Sequence, residues 1–122
     1  KTRQAVLDGE DLVTPRGRRR RFGLITKQNK ASVMNEALAF LPQSTASDIC
    51  LDALINLVPR FEGLAKPRNT VHDAIIVECH KDDEEEVKAL MREEMLAAAV
   101  RIVGDYVRFD VESTVGQNWG EL

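Results

Sequence analysis

Cysteine is scarce in this 122-residue chain, which has only Cys50 and Cys79, far apart in apolar surroundings. A disulfide-stapled secreted domain would be much richer in cysteine, so we expect reduced thiols and a cytoplasmic location. No stretch approaches the roughly 20 apolar residues of a membrane helix. The first residues also lack the apolar region of a secretory signal, so no membrane partner is expected. Because the chain does not begin with Met, we expect a piece of a longer protein.

Aromatic residues are rare as well, at 5% of a chain that is 43% hydrophobic. This length and composition suit one domain with a modest core. The common phosphate-binding loops and the Gly-x-Ser-x-Gly nucleophile motif are absent. A zinc site built from His72, Asp73, Cys79 and His80 is disfavoured, because His72 and His80 share one face of a strand while Cys79 points to the other. A hydrolase triad or a zinc enzyme is therefore not indicated.

Charge is distributed unevenly along the chain. Residues 1–31 contain nine basic and three acidic residues, a net charge of +6, whereas the whole chain carries −3 and the remainder therefore −9. Such an asymmetry indicates one surface that meets an anion and an acidic body that stays in solvent.

The basic region is predicted to contain a helix end and a hairpin. Gly9 can end a helix that covers the first residues, and Thr14-Pro15-Arg16-Gly17 has the residues of a tight turn. We expect strands on either side of this turn to pair as a basic hairpin at about 11–25. An alternative is that the arginines only protect an exposed strand edge from further pairing.

A helical pattern of apolar residues follows, at about 29–58. Pro42 lacks a backbone donor and disfavours helix at the residue before it, so we expect a kink or break between two helices. The polar segment from Pro42 to Asp48 would then precede the second helix, with Ser44 as its N-cap. Pro59 would end that helix, and residues 60–68 would form a loop.

The second half is predicted to be a hairpin, a helix and a strand. The hairpin at about 69–80 has a short polar strand and the β-branched run Ala74 to Cys79, with His72 and Asp73 at its turn. A helix at about 82–103 follows. The acidic residues at its start, with Asp82 or Asp83 as the N-cap, are interpreted as stabilising the positive end of the helix rather than as a metal site. The predicted buried stripe of this helix is Val87, Leu90, Met91, Met95, Ala98 and Ile102.

Gly104 would end that helix, and the alternating residues 106–112 would form a last strand in a tail at about 106–122. Trp119 would anchor the tail. This order of elements predicts an α+β domain in which helices pack on one face of a small antiparallel sheet.

Four motifs in the same order and spacing resemble family A DNA polymerases, the group of bacterial polymerase I and its phage relatives. They cover about residues 5–120. The match is specific only when the four are taken together. They are GRRRRF (17–22), PQSTASDI (42–49), VHDAIIVECHKDDEEEVKALMREEM (71–95), which is similar to motif C of that family, and VGQNW (115–119).

The resemblance implies a role for individual residues. Asp73 corresponds to the motif C carboxylate that binds catalytic Mg²⁺, with two ions in the complete enzyme, and His72 to a histidine beside the primer terminus. Gln43 corresponds to a glutamine that contacts the primer-template. The basic hairpin, with Arg18, Arg19 and Arg20, would lie near the path of the nucleic acid, where phosphate contacts position the strand without reading its sequence.

The resemblance implies that residues 1–122 are the C-terminal part of a polymerase palm. The complete enzyme, of phage type, would use primer-template DNA and dNTP in the cytoplasm of a bacterial or phage-infected cell. The chain lacks the family's strand with the other metal-binding aspartate and the fingers helix that holds dNTP. We therefore expect no polymerase activity without the remainder of the polymerase, in the same chain or as a separate subunit.

Two substitutions depart from the family pattern. Ala74 stands where the family often has a glutamate, and Ala39 where it often has an asparagine that contacts DNA. Two alternatives therefore stay open: a non-catalytic DNA-binding or assembly module with this fold, for which Ala74 is the best support, and a small interaction domain whose His72-Asp73 turn is purely structural.

Overall fold

The computed structural model describes all residues, 1–122, and divides them into two compact units, Lys1–Ile49 and Cys50–Leu122. Helices and short antiparallel strand pairs make up the fold, which confirms the predicted α+β class. The strands form two separate two-stranded sheets. The elements are α1 (Thr2–Leu7), β1 (Leu12–Val13), β2 (Arg19–Arg20), α2 (Lys30–Arg60), β3 (Ala65–Val71), β4 (Ala74–Cys79) and α3 (Glu84–Val103), with 3₁₀ turns at Lys81–Asp83 and Trp119–Glu121.

The first unit contains the predicted helix end and basic hairpin. Helix α1 ends before Gly9, whose φ of 80° is a conformation that glycine adopts without strain. Strands β1 and β2 pair in antiparallel register, with Leu12 opposite Arg20. The turn between them is closed by a hydrogen bond from the Gly17 amide to the Thr14 carbonyl, 2.8 Å long. The hairpin is shorter than predicted because only two residues of each strand pair.

Apolar side chains from α1, β1, the segment after β2 and the first half of α2 meet in one small core. It fixes α1, the hairpin and the first half of α2 against one another, and so places the basic residues that these elements carry. The buried members are Val6, Leu12, Met34 and Ala37, with Phe22, Ile25, Val33, Phe40 and Leu41 packed against them.

Helix α2 runs through Pro42 without a break, so of the predicted kink or break the break does not occur, and Ser44 is not an N-cap. Proline removes one backbone hydrogen bond from a helix interior. Long helical segments on both sides of Pro42 bury apolar residues, and this burial outweighs the loss of one bond. The helix ends at Arg60, one residue beyond the predicted stop at Pro59.

The second unit contains the predicted hairpin with a longer first strand. Residues 60–68 were expected to form a loop, but β3 already begins at Ala65 and includes Pro67. Its pairing with β4 shifts between Pro67 and Asn69, which leaves Arg68 as an extra residue. Such a bulge accommodates a proline that cannot donate to the ladder, and this explains why the strand passes through it.

Helix α3 begins later than predicted, after the 3₁₀ turn. Asp83 occupies its N-cap position without a side-chain cap, and the His80 ring instead accepts from the Asp82 amide at 3.3 Å. Gly104 ends the helix as predicted. Of the predicted stripe, Val87 and Ala98 are fully buried, and the other predicted members are partly buried.

A buried carboxylate not anticipated from the sequence links α2 to α3. Glu94 on α3 is 7% exposed and accepts hydrogen bonds from Arg60 on α2, at 3.0 Å, and from Arg101, at 2.6 Å. Arg101 also bonds Asp52 of α2 at 2.9 Å. Arg60 bonds the neighbouring Glu93 at 3.2 Å. These five residues hold the end of α2 on α3.

The C-terminal tail differs from the prediction. Residues 106–112 form no strand, because no other segment pairs with them. Tyr106 is 91% exposed, and Trp119 is 57% exposed and does not anchor the tail. Arg92 instead holds part of the tail to α3 through Asp110, at 2.5 Å, and the Val111 carbonyl, at 2.6 Å.

No helix in the structure combines the length and apolar character needed to cross a membrane. Cys50 and Cys79 are free thiols.

Candidate functional site

The predicted His72-Asp73 turn is the tip of the β3–β4 hairpin. Val71 pairs with Ala74, so only His72 and Asp73 lie between the strands. His72 has a φ of 54° and is the only non-glycine residue in the structure with positive φ. A tight two-residue hairpin turn requires this left-handed conformation, which usually falls to glycine, asparagine or aspartate. A histidine held there is a strained residue at an exposed tip, which is typical of functional positions.

Both side chains of the turn point into solvent, while the strand behind them is fixed. Ile75, two residues after Asp73, is 8% exposed and anchors β4 in the core of the second unit. Cys50 on α2 is 3% exposed. Burial raises the pKa of the Cys50 thiol, and the negative charge of Asp73 raises it further. The Asp73 carboxylate is therefore exposed, and its charge acts on Cys50 of α2.

The Asp73 carboxylate offers hard oxygen atoms, which are the ligands that Mg²⁺ prefers. No group of three His, Cys, Asp or Glu side chains in the chain could hold a metal ion. His80 is engaged with Asp82, its Nδ1 lying 3.3 Å from the carboxylate, and is not gathered with His72 and Cys79 into a zinc site. The residues present fit one ligand of a magnesium site but not a complete site.

Arg18 of the hairpin binds a carboxylate of the first unit. Its guanidinium donates to Asp48 of α2 at 2.5 Å, and the Thr14 hydroxyl donates to the same carboxylate at 3.4 Å. Asp48 is 9% exposed. Hydrogen bonding and charge from Asp48 raise the pKa of Arg18 above its usual value. Arg18 thus fixes the hairpin to α2, a role that the sequence did not reveal.

Arg20 is also held, but at the edge of a groove. Its guanidinium donates to Glu36 at 2.5 Å and lies over the Phe22 ring, 5.3 Å from the centroid. The groove contains both Arg20 and Gln43, so the structure brings together two residues that were predicted separately as nucleic-acid contacts. It is lined by Arg20, Glu36, Ala39, Phe40, Gln43 and Ser44.

Arg19 and Arg21 share the carboxylate of Asp11. Arg21 bonds it at 3.3 Å and Arg19 lies 4.0 Å away. Both arginines are largely exposed, so these pairs are loose and the side chains can turn to another anion. Gln43 and the hairpin belong to the first unit, and His72 and Asp73 to the second.

The structure also reveals basic residues that the sequence reasoning did not single out. Arg3, Lys27 and Lys30 line a second groove of the first unit, together with Ala31, Met34 and Asn35. The excess of basic residues in the first 31 positions was the only signal in the sequence, and it did not separate these residues from the hairpin arginines.

Comparison with known proteins places the chain. The family model described as DNA polymerase family A matches residues 1–121. DNA polymerase I of Aquifex aeolicus (strain VF5) is 32% identical over 99 residues, which cover 79% of this chain and 17% of that protein. A solved structure of the POL domain of Pol1 from M. smegmatis, in complex with DNA primer-template and dNTP, is also similar. It matches with a TM-score of 0.67 and 31% identity, over 78% of this chain and 18% of that one.

The chain thus spans less than a fifth of the length of each of these relatives. The match of the family model over nearly every residue, together with the similarity in sequence and in fold to the same kind of enzyme, shows that this chain belongs to DNA polymerase family A.

Proposed function

We propose that this chain is the C-terminal part of the palm of a phage-type family A DNA polymerase, with residues 71–95 as motif C. The complete enzyme would carry out template-dependent nucleotidyl transfer on primer-template DNA with dNTP, in the cytoplasm. The observation that supports this most is Asp73, an exposed carboxylate on a strained hairpin tip in a chain of this family.

Asp73 would be a metal ligand in that reaction. Bound Mg²⁺ supplies charge stabilisation for in-line displacement at a phosphate, and two ions would act in the complete enzyme. The chain itself holds the Asp73 carboxylate outward on a two-residue turn, while Ile75 fixes the strand behind it. His72, beside it on the turn, would contact the primer terminus.

The first unit would bind the primer-template. Gln43 and Arg20 line the same groove, where an amide and a guanidinium can donate to phosphate or to base edges. Glu36 and Phe22 hold Arg20 in place, so less freedom is lost when it binds. Arg19 lies beside it on β2, and Arg18 would act mainly by fixing the hairpin through Asp48.

This part of the enzyme would need the rest of the polymerase for activity, in the same chain or as a separate subunit. A second carboxylate is required beside Asp73, and no described cluster supplies it. Leu51, Ile55 and Val58 recur at helical spacing on α2 and are 42%, 72% and 53% exposed. Such an apolar stripe suits a surface that is covered by another part of the enzyme.

Primer extension with Mg²⁺ tests the proposal. The chain is assayed alone and then mixed with a polypeptide that carries the missing upstream palm and fingers from the same genome. We expect incorporation only in the mixture. In that mixture Asp73→Ala should abolish incorporation and leave DNA binding nearly unchanged, while Asp105→Ala, at another exposed aspartate, should have no effect. Substantial incorporation by Asp73→Ala would refute the metal assignment.

A non-catalytic DNA-binding or assembly module is the second candidate. Ala74 favours it, because the residue after Asp73 is the one for which the family often has a glutamate. Absence of incorporation in the completed mixture, with salt-dependent binding of primer-template, would establish this alternative. Restoration of activity by Ala74→Glu would show that the position limits catalysis.

A further inference from the structure

The basic residues of the first unit differ in whether they have a partner. Each of the four arginines at positions 18–21 lies within 4.0 Å of a carboxylate. Arg3, Lys27 and Lys30 make no ion pair and no side-chain hydrogen bond, although all three are exposed. Lys1, the first residue, also has no ion pair, so the unpaired basic charge of the first unit lies on these three side chains and on Lys1.

The three cations converge on one groove, which we call the lysine groove, lined by Arg3, Lys27, Lys30, Ala31, Met34 and Asn35. Arg3 comes from α1, Lys27 from the segment before α2, and Lys30 from the first residue of α2. Met34 at the groove is 8% exposed and belongs to the core of the unit. The groove is thus built on fixed elements, and no acidic side chain lines it.

Like charges held together repel one another, and this repulsion is relieved when an anion binds. The groove is open, and its cations sit on three different segments. That arrangement suits an extended polyanion better than a small anion, which would need donors converging on one point.

One face of α2 carries residues of both the lysine groove and the groove of Arg20 and Gln43. Asn35, Ala39 and Gln43 follow one another at four-residue spacing, and residues four apart lie on the same face of a helix. Asn35 lines the first groove, and Ala39 and Gln43 line the second. From Asn35 to Gln43 the helix rises about 12 Å.

We propose that the lysine groove binds the phosphodiester backbone of a DNA strand, with Arg3, Lys27 and Lys30 as phosphate contacts. The strand would run along the face of α2 that carries Asn35, Ala39 and Gln43. The inference rests on the proposed function and deepens it. The unpaired cations of the lysine groove then supply the principal electrostatic attachment of the first unit, ahead of Arg18 and Arg20, which are each bonded to a carboxylate at 2.5 Å.

Fluorescence anisotropy with a labelled primer-template duplex tests the groove over a series of salt concentrations. The variant is Lys27→Gln/Lys30→Gln. The matched control is Lys66→Gln/Lys81→Gln, which removes the same charge from exposed lysines of the second unit. Loss of two phosphate contacts should make the slope of log K against log salt shallower by about 2. Affinity in the groove variant should fall at least about tenfold near 0.1 M salt, since that slope scales the affinity.

Equal affinity and slope in the groove variant and the control would overturn the inference while leaving the polymerase proposal intact. Failure of the unmodified chain to bind the duplex would also overturn it, whereas the polymerase proposal is judged by incorporation and Asp73→Ala. A third arm titrates dNTP without DNA. Binding of dNTP that depends on Lys27 and Lys30 would make the groove a nucleotide site and refute the DNA-strand assignment.

Discussion

Replacing Glu94 by glutamine removes one charge from the pairing of α2 with α3 and keeps the shape of the side chain. Glu94 is the only member of that network buried to 7% exposure, and it receives hydrogen bonds from Arg60 and Arg101. Each arginine keeps a second carboxylate, Glu93 or Asp52, so the substitution leaves no cation unpaired. The perturbation therefore isolates the contribution of the buried carboxylate.

The expected loss follows from the two hydrogen bonds. A hydrogen bond to a charged group contributes roughly 1.5–3 kcal/mol to stability, and the cost of burying the charge offsets part of this gain. Because glutamine can still accept one bond and the arginines are partly solvated, we expect Glu94→Gln to lower the free energy of unfolding by about 2 kcal/mol. With a urea m-value of about 2 kcal/mol/M, the midpoint falls by about 1 M.

The effect should depend on pH in one direction. Burial alone would raise the pKa of Glu94, but hydrogen bonds from Arg101 and Arg60 outweigh it, and its pKa lies below the usual 4.5. A carboxylate with a lowered pKa in the folded state stabilises the protein above its unfolded value and loses this contribution as the pH falls through the folded one. The difference between the wild type and Glu94→Gln should thus be constant at neutral pH and shrink below about pH 4.5.

Urea unfolding followed by far-UV circular dichroism, at pH 7 and at about pH 3.5, measures this difference. Glu93→Gln is the matched control, because Glu93 bonds Arg60 from a side chain that is 67% exposed. An exposed pair contributes at most about 1 kcal/mol. Equal losses for the two variants, or a loss for Glu94→Gln that is the same at both pH values, would refute the reasoning.

Three further changes have defined outcomes. His72→Gly should raise the Tm by relieving a positive φ worth about 1 kcal/mol, while incorporation by the completed enzyme falls; a lower Tm would show that the turn is not strained. Asp48→Asn should lower the Tm by about 5 °C, because it removes the carboxylate that binds the hairpin. Glu36→Gln, at an exposed pair, should change the Tm little. Equal shifts of the two variants in calorimetry would contradict this prediction. Ile55→Glu should leave the Tm unchanged but weaken activation by the upstream polypeptide at least about tenfold. Asn56→Glu, the control, should leave activation unchanged. Primer extension titrated with the upstream polypeptide measures both.

Local signals in the sequence predicted the short elements well. Gly9 and Gly104 end helices because each adopts a positive φ, and the turn residues 14–17 close the first hairpin. The turn at His72 and Asp73 was located correctly because the β-branched run after it begins abruptly at Ala74. Each of these features is determined by residues that are adjacent in the chain, and so it can be predicted from the sequence alone.

The errors arose where distant contacts overrule a local preference. Pro42 would break an isolated helix, but burial on both sides carries α2 through it. Pro67 favours a loop because it cannot donate a hydrogen bond to a neighbouring strand, but the bulge at Arg68 lets β3 continue. Residues 106–112 alternate like a strand, yet strand formation requires a partner, and none is present in the structure.

The candidate site shows the same division. Asp73 and Gln43 could be chosen from motifs, whereas the pairing of every hairpin arginine with a carboxylate could not, because those carboxylates lie up to 30 residues away in the chain. The lysine groove was missed for the converse reason. Only the structure shows which basic residues have no partner.

The two edges of the β3–β4 sheet differ in how readily another strand can pair with them, because of the bulge in β3. Lys66, Pro67 and the extra Arg68 interrupt the border of β3, and interruptions of this kind block the addition of another strand. The border of β4 is regular and apolar, with Ile75, Ile76 and Val77 in succession and no neighbour beyond β3. When purified by itself, the chain should therefore self-associate through β4, and its solubility becomes a simple gauge of whether a further strand from the rest of the enzyme has joined the sheet.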